Sequence, residues 1–380
     1  DRIHNGIIEN YRVLKEALIE NGYTFKSDTD TEVLVNLIEY IRTSNNCTLL
    51  EAVQQALKQV IGAYAIAVVE KGNQDQIIAA RRSSPMVIGI GDKEFFLASD
   101  AASIVEYTDK IVYVNDGEVV VMDRNHPLKI VTLDNQESKI DIKKLQLSIS
   151  QLEKGGYPHF MLKEINEQPT AITATVSPRV EDGMPDLRIP QLTDEVLRSI
   201  GTVHLVGCGT AMHAGMVGKA AIETLARVPA EVDIASEFRY RDPILNPNDL
   251  VIIISQSGET SDTLAALKLA KSRGVPVLAI VNVVGSSIAR AADYVLYTYA
   301  GPEIAVASTK AYMVQLCVLY LFALRLAYAR GRLSEAETRR YTAQLLRVPE
   351  IIKARLADCE QIKYLSLIHI SEPTRPEPIS

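Results

Sequence analysis

Apolar residues recur at helical spacing near the start of the chain. Ile8, Tyr11, Leu14 and Leu18, with Ile7 and Val13 beside them, predict a helix from Ile7 to Asn21 that Gly22 stops. A run of small polar residues, Asp28-Thr29-Asp30-Thr31, caps a second helix over 32–42. Thr48 followed three residues later by Glu51 is a capping box, and Leu50, Val53 and Leu57 make the apolar face of a helix to Gln59. The period then drops towards two. Short strands are predicted at 63–69, 76–80, 86–91, 94–98, 110–114, 118–122 and 128–133, parted by turns such as Gly91-Asp92 and Asp116-Gly117. Helices followed by a meander of strands read as an α+β unit over residues 1–145.

Residues 146–195 have little pattern. Lys154-Gly155-Gly156-Tyr157-Pro158 is a break, a helix over 160–175 is kinked or begun at Pro169, and Pro178, Pro185 and Pro190 mark loops. This stretch is read as a connector. From 196 to 357 strands alternate with helices. Strands are predicted at 202–206, 231–235, 251–254, 275–282 and 294–299. Helices are predicted from 210 to 227 and at 262–273, 287–292, 309–330 and 335–357. Such alternation means an α/β, doubly wound parallel sheet, whose ligands sit at the carboxyl ends of its strands. Residues 366–380 break the rhythm with Pro373, Pro376 and Pro378. That tail resembles translated sequencing adapter and is expected to be foreign and disordered.

Composition narrows the picture. The 380 residues suffice for two or three domains. A net charge of −7 without a basic stripe argues against a nucleic-acid partner. No apolar run is seen to approach the roughly 20 residues of a membrane helix, and no signal peptide opens the chain. Four scattered cysteines, Cys47, Cys208, Cys317 and Cys359, have no metal-type spacing and suggest reduced thiols in the cytoplasm. No cofactor or metal is expected. The start, Asp1-Arg2-Ile3-His4-Asn5-Gly6, reads as cut from something longer.

Two turns carry candidate chemistry in the second unit. Four β-branched residues, Val251–Ile254, run into Ser255-Gln256-Ser257-Gly258-Glu259-Thr260 and then a helix. Hydroxyls and free N–H groups at a positive helix end make an anion site, or else an ordinary capped βα turn. The other turn, Gly207-Cys208-Gly209-Thr210, invites a dinucleotide reading with Asp233 as the acid, but Met212 stands where a third glycine is needed. It reads equally as a second wall of a sugar-phosphate site or as a tight turn burying Cys208. Lys310, in the first turn of its helix, opposes the helix dipole and hints at an anionic partner or is simply solvated. In the first unit, the Asn5 amide and the Gly6 N–H form a candidate oxyanion pair, or a turn before a helix. Asp28 and Asp30 are helix caps or a carboxylate for an ammonium group.

Eight segments taken in order, HNGIIEN, SDTDTEV, GAYAIAVV, FMLKEINEQP, VGCGT, ASEFRYRDP, SQSGETSDTLAALKLAK and VASTKAY, closely resemble the glutamine–fructose-6-phosphate aminotransferase family over residues 3–362. The resemblance implies part of an N-terminal-nucleophile glutamine amidotransferase domain (1–145). It then implies a connector (146–195), a first sugar isomerase (SIS) domain (196–357) and the start of an inter-SIS segment (358–365). In the family an N-terminal cysteine, with its own α-amine as base, attacks the glutamine amide. Ammonia then passes to fructose 6-phosphate, giving glucosamine 6-phosphate and glutamate.

By that resemblance Asn5 and Gly6 match the oxyanion hole, and Asp30 the carboxylate that holds the glutamine amine. Ser255, Gln256, Ser257 and Thr260 match the phosphate loop, with Cys208, Gly209 and Thr210 beside it. Val306, Ala307 and Ser308 match the sugar-contacting segment. Ala211 stands where relatives often carry Ser. The family's nucleophile, its carboxylate-gripping Arg and its gating Trp lie upstream of these matches, and its second SIS domain, which supplies the isomerising residues, lies downstream. The chain as given is therefore expected to be inactive, retaining a sugar-phosphate loop, while the full-length parent is expected to be a homodimer. Two other readings stand beside this one: a SIS-type regulatory module that senses phosphosugars, and a nicotinamide-dependent oxidoreductase resting on Gly207 and Gly209 alone.

Overall fold

A computed structural model describes residues 2–145, 153–359 and 362; the tail at 366–380 lies outside them. The chain divides into two compact units, residues 1–153 with 259–264 and residues 154–258 with 265–380.

The first unit is helices on a sheet on a second sheet. Strands β1 (Arg2–Ile8), β2 (Gly62–Glu70), β3 (Asn73–Arg82), β7 (Glu118–Asp123) and β8 (Lys129–Thr132) form one antiparallel sheet in the order β1-β2-β3-β7-β8. Strands β4 (Val87–Ile90), β5 (Phe95–Ala98), β6 (Lys110–Tyr113) and β9 (Lys143–Lys144) form the other, in the order β5-β4-β6-β9. Side-chain alternation decides what each face meets. Tyr64, Ile66, Val119 and Val121 pack on helices α2 (Asp30–Asn45) and α3 (Leu49–Gln59), through Val33, Leu37, Val53 and Leu57. Their neighbours Ala65, Val120 and Met122 pack against Ile88 and Val112 of the second sheet. The capping box at Thr48 is present, and Thr29 caps α2 by accepting the Glu32 N–H.

Two expectations change here. Helix α1 spans only Tyr11–Glu20, and the residues before it are strand β1, paired from Arg2↔Val68 to Ile8↔Gly62. Ile7, counted towards a helical face, is 70% exposed on that strand.

The second unit is a five-stranded parallel sheet of β12 (Val203–Gly207), β13 (Ala230–Ile234), β14 (Leu250–Ser255), β15 (Val277–Val281) and β16 (Tyr294–Tyr297), in the order β13-β12-β14-β15-β16. Every residue of β14 is buried, which is why its sequence is a continuous apolar run rather than an alternation. Helix α4 (Phe160–Val176) runs unbroken through Pro169, so the stretch read as a connector contributes a full helix. Its Ala171, Ile172 and Val176 share one core with Leu205 and Ile252 of the sheet. A two-residue hairpin pairs β10 (Val180–Glu181) with β11 (Met184–Pro185), and helix α5 (Asp194–Ser199) precedes β12. Helix α6 (Thr210–Ala221) ends in a π-helical turn at Ile222–Ala226, and a short helix α7 (Ala235–Tyr240) follows β13. Helices α8 (Ser261–Ser272), α9 (Ser287–Ala291), α10 (Lys310–Ala329) and α11 (Glu335–Ala357) complete the alternation.

Helix α10 also corrects the hydropathy expectation. It is long and apolar enough to cross a membrane by length and composition, yet 67% of its most apolar window is buried within the protein. Phe322, Leu326 and their neighbours lie in the core of the second unit.

Candidate functional site

In the first unit the predicted residues converge on the outer edge of β1. The Glu9 N–H bonds the Ile61 carbonyl towards β2, whereas the Ile8 N–H points the other way and donates to Asp30 Oδ2 at 2.8 Å. Alternation along the strand turns the Gly6 N–H to the same edge as that of Ile8. Gly6 pairs with Tyr64 at φ +138°, and a Cβ there would lie 2.1 Å from the Ala63 carbonyl oxygen, so only glycine fits. Asn5 and Gly6 are both exposed. Asp30 is the first residue of α2 and not its cap. Its Oδ1 accepts the Thr31 hydroxyl at 3.3 Å and lies 3.8 Å from His4 Nδ1. The His4 ring bonds Thr31 Oγ1 at 2.8 Å, and burial holds its pKa below 6.5 despite the opposing pull of Asp30. Asp28 is fully exposed and paired with Lys15 at 3.2 Å.

In the second unit the two small-residue turns lie side by side. Strand β12 is first in the chain, β13 second and β14 third, so the strand order reverses between β12 and β14. That reversal is a topological switch point, where crevices open in doubly wound sheets. The register pairs Gly207 with Ile254, which sets Cys208-Gly209-Thr210 level with the end of β14 at Ser255. Gly209 adopts φ +56° and ψ −129°, a conformation reserved for glycine, directly before the first turn of α6.

The loop after β14 is tightly pinned. The Gly258 N–H donates to Ser255 Oγ at 3.0 Å, the Asn282 N–H to the Gln256 carbonyl at 3.1 Å, and the Ile288 N–H to the Gly258 carbonyl at 3.0 Å. Gly258 is left-handed (φ +67°) with Ser286 Oγ 2.1 Å from where a Cβ would be. Ser255 is buried, Gln256 and Ser257 half-buried, and Thr260 is exposed among the residues that group with the first unit.

Val306, Ala307 and Ser308 belong to the segment between β16 and α10. Val306 is fully exposed, while the Ser308 hydroxyl donates to Glu303 Oε2 at 2.8 Å. Lys310 does not await an anion: it is 3% exposed and its Nζ bonds Glu167 Oε2 of α4 at 2.6 Å. Asp233, the acid a dinucleotide reading needs, is held by Arg241 at 2.6 Å. Three residues given no role from the sequence hold the sites together: His4, Asn282 and Glu303. Only Asn282 had a signal, being a polar residue at the carboxyl end of a buried strand. A cleft of about 520 Å³ lined by Ile90, Asp92, Tyr107 and Lys110 contains none of the predicted residues.

Residues 2–106 match the model of a glutamine amidotransferase domain, and residues 196–325 that of a SIS domain. The chain is thus an amidotransferase-type unit joined to a SIS unit. It is 52% identical over 366 residues to the glutamine–fructose-6-phosphate aminotransferase [isomerizing] of Bacteroides thetaiotaomicron, covering 96% of this chain and 60% of that protein. It is 47% identical over 362 residues to the protein of the same name from Clostridium acetobutylicum, covering 95% and 59%. Among solved structures it resembles the C-terminal domain of glucosamine-fructose-6-phosphate aminotransferase from Francisella tularensis, with 39% identity and a TM-score of 0.55, covering 57% of this chain and 61% of that one. The chain spans about three fifths of the length of the curated relatives it matches.

Proposed function

We propose that the chain carries two of the working parts of an enzyme that moves the amide nitrogen of glutamine to fructose 6-phosphate, yielding glucosamine 6-phosphate and glutamate. The observation that carries this reading is the pair of turns, Cys208–Thr210 and Ser255–Gly258, at one level across the switch point of a parallel sheet. They offer N–H groups and hydroxyls to a phosphate without needing a positive side chain. The segment Val306–Ser308 extends the same site towards the sugar. In the first unit the Gly6 N–H and the Asn5 amide suit an oxyanion formed at the glutamine carboxamide, and Asp30 suits the ammonium group of glutamine. The names of the relatives agree with both halves. Cysteines that form no disulfide among the described residues fit a cytoplasmic setting, and we read the full-length protein as a homodimer.

Thermal unfolding tests the proposal. Fructose 6-phosphate at 100 times its dissociation constant should stabilise the binding unit by about 2.7 kcal/mol, while NAD should leave the midpoint unchanged. A shift with NAD and none with the sugar phosphate refutes the reading.

A further inference from the structure

We propose that Asn282 is a positioning residue that holds the phosphate turn and the sugar-facing segment of the second unit in fixed register; the inference rests on the ketose-phosphate reading of that unit. Asn282 directly follows β15. Its backbone N–H donates to the Gln256 carbonyl at 3.1 Å, inside the turn after β14. Its side chain reaches the other way. Nδ2 donates to the Gly301 carbonyl at 2.7 Å, and Oδ1 accepts the Ala300 N–H at 2.8 Å and the Thr298 hydroxyl at 3.0 Å. The amide orientation is unambiguous, because Gly301 offers only an acceptor there and Ala300 only a donor. One residue therefore ties two loops that are distant in sequence.

Beyond Gly301 the segment is held by two carboxylates. Glu164 of α4, 2% exposed, accepts the Ile304 and Ala305 N–H groups through Oε1 at 2.6 and 3.1 Å. Glu303 accepts the Ser308 hydroxyl at 2.8 Å and the Thr309 and Ala311 N–H groups at 2.9 and 3.1 Å. Between these anchors Val306 stands 106% exposed, with Ala307 exposed beside it. A loop pinned on both sides of its tip is ordered before a ligand arrives, which removes an ordering cost from binding. Asn282 is the link that makes the order of this loop depend on the phosphate turn.

The test is calorimetric titration of the full chain with inorganic phosphate and with fructose 6-phosphate. Asn282→Asp keeps the acceptor towards Ala300 and Thr298 but sets a carboxylate against the Gly301 carbonyl. Fructose 6-phosphate affinity is expected to fall about tenfold, or 1.4 kcal/mol, with phosphate affinity within about twofold of wild type. Thr298→Val, which removes one bond to the same Oδ1, should shift the ratio in the same direction by a few-fold and serves if the first variant does not fold. Parallel loss of both ligands, or no change in either, overturns the proposal. A wild-type chain that shows no preference for the sugar phosphate refutes instead the reading of the unit. In that case amide exchange of the unliganded chain still decides on Asn282: both variants should speed exchange at 256–258 and at 299–309 together, and acceleration confined to one segment overturns the coupling.

Discussion

Replacing Gly258 by alanine should loosen the turn after β14 by an amount that can be separated into strain and collision. The residue sits at φ +67°, which costs an L-residue about 1 kcal/mol. The added Cβ would also stand 2.1 Å from Ser286 Oγ and 2.6 Å from Ser286 Cβ. Either side has to move. If Ser286 yields, α9 loses the cap bond its hydroxyl accepts from the Ala289 N–H, worth about 1 kcal/mol. If the turn yields, the Gly258 bonds to Ser255 and Ile288 weaken, at about 1 kcal/mol each. The total is roughly 2–4 kcal/mol. Gly274→Ala is the matched control: its φ is +73° and nothing lies within 4 Å of its Cβ position, so it carries the strain alone. Urea unfolding with unchanged m-value measures both. Ser286→Gly in the Gly258→Ala background removes the obstructing atoms and should recover most of the difference. The reasoning fails if the two alanine variants agree within about 0.5 kcal/mol, or if the double variant is no more stable than Gly258→Ala.

His4 is held neutral by burial, so its contribution to stability is complete above pH 6.5 and is lost as pH falls through that value towards its lower folded-state pKa. Urea midpoints between pH 7.5 and 5 should therefore fall more steeply for wild type than for His4→Gln; equal slopes refute this. Lys310→Met should cost roughly 1–3 kcal/mol, less than a fully buried pair, because the Glu167 side chain is 35% exposed and keeps Lys163 at 3.5 Å. Phosphate affinity should be unchanged, and its loss at constant stability would make Lys310 an anion ligand after all. Ala211→Ser, adding a hydroxyl in the first turn of α6, should tighten phosphate binding by about 1 kcal/mol, some fivefold by titration; a weaker complex would place position 211 outside the site.

Periodic elements were legible and pairwise contacts were not. The capped helices α2, α3 and α11 and the buried strands of the parallel sheet follow from local pattern, since each carries its own signal in apolar spacing and punctuation. Strand β1 was misread because Ile7 and Ile8 continue the helical spacing of Tyr11 and Leu14. Only pairing with β2, some sixty residues on, makes them a strand. Pro169 suggested a kink or a start, yet α4 passes through it, its packing on the second core outweighing the missing N–H. At the candidate sites the glycines and hydroxyls announced themselves by type. The groups that aim them, Asn282, Glu303 and Glu164, look like ordinary polar residues until the fold brings their partners together. Lys310 shows the same limit, since Glu167, which neutralises it, lies on a helix far back in the chain.

The outer margin of β1 has one more property. A strand at the border of a sheet offers a ladder of unsatisfied groups on which a strand from another molecule can dock and begin a fibre. Here the helix that starts at Asp30 lays a carboxylate across that ladder and occupies the Ile8 rung. An incoming strand would have to displace this bond and bury the negative charge. The Ile8 rung is thus occupied, while Asn5 and Gly6 beside it stay exposed.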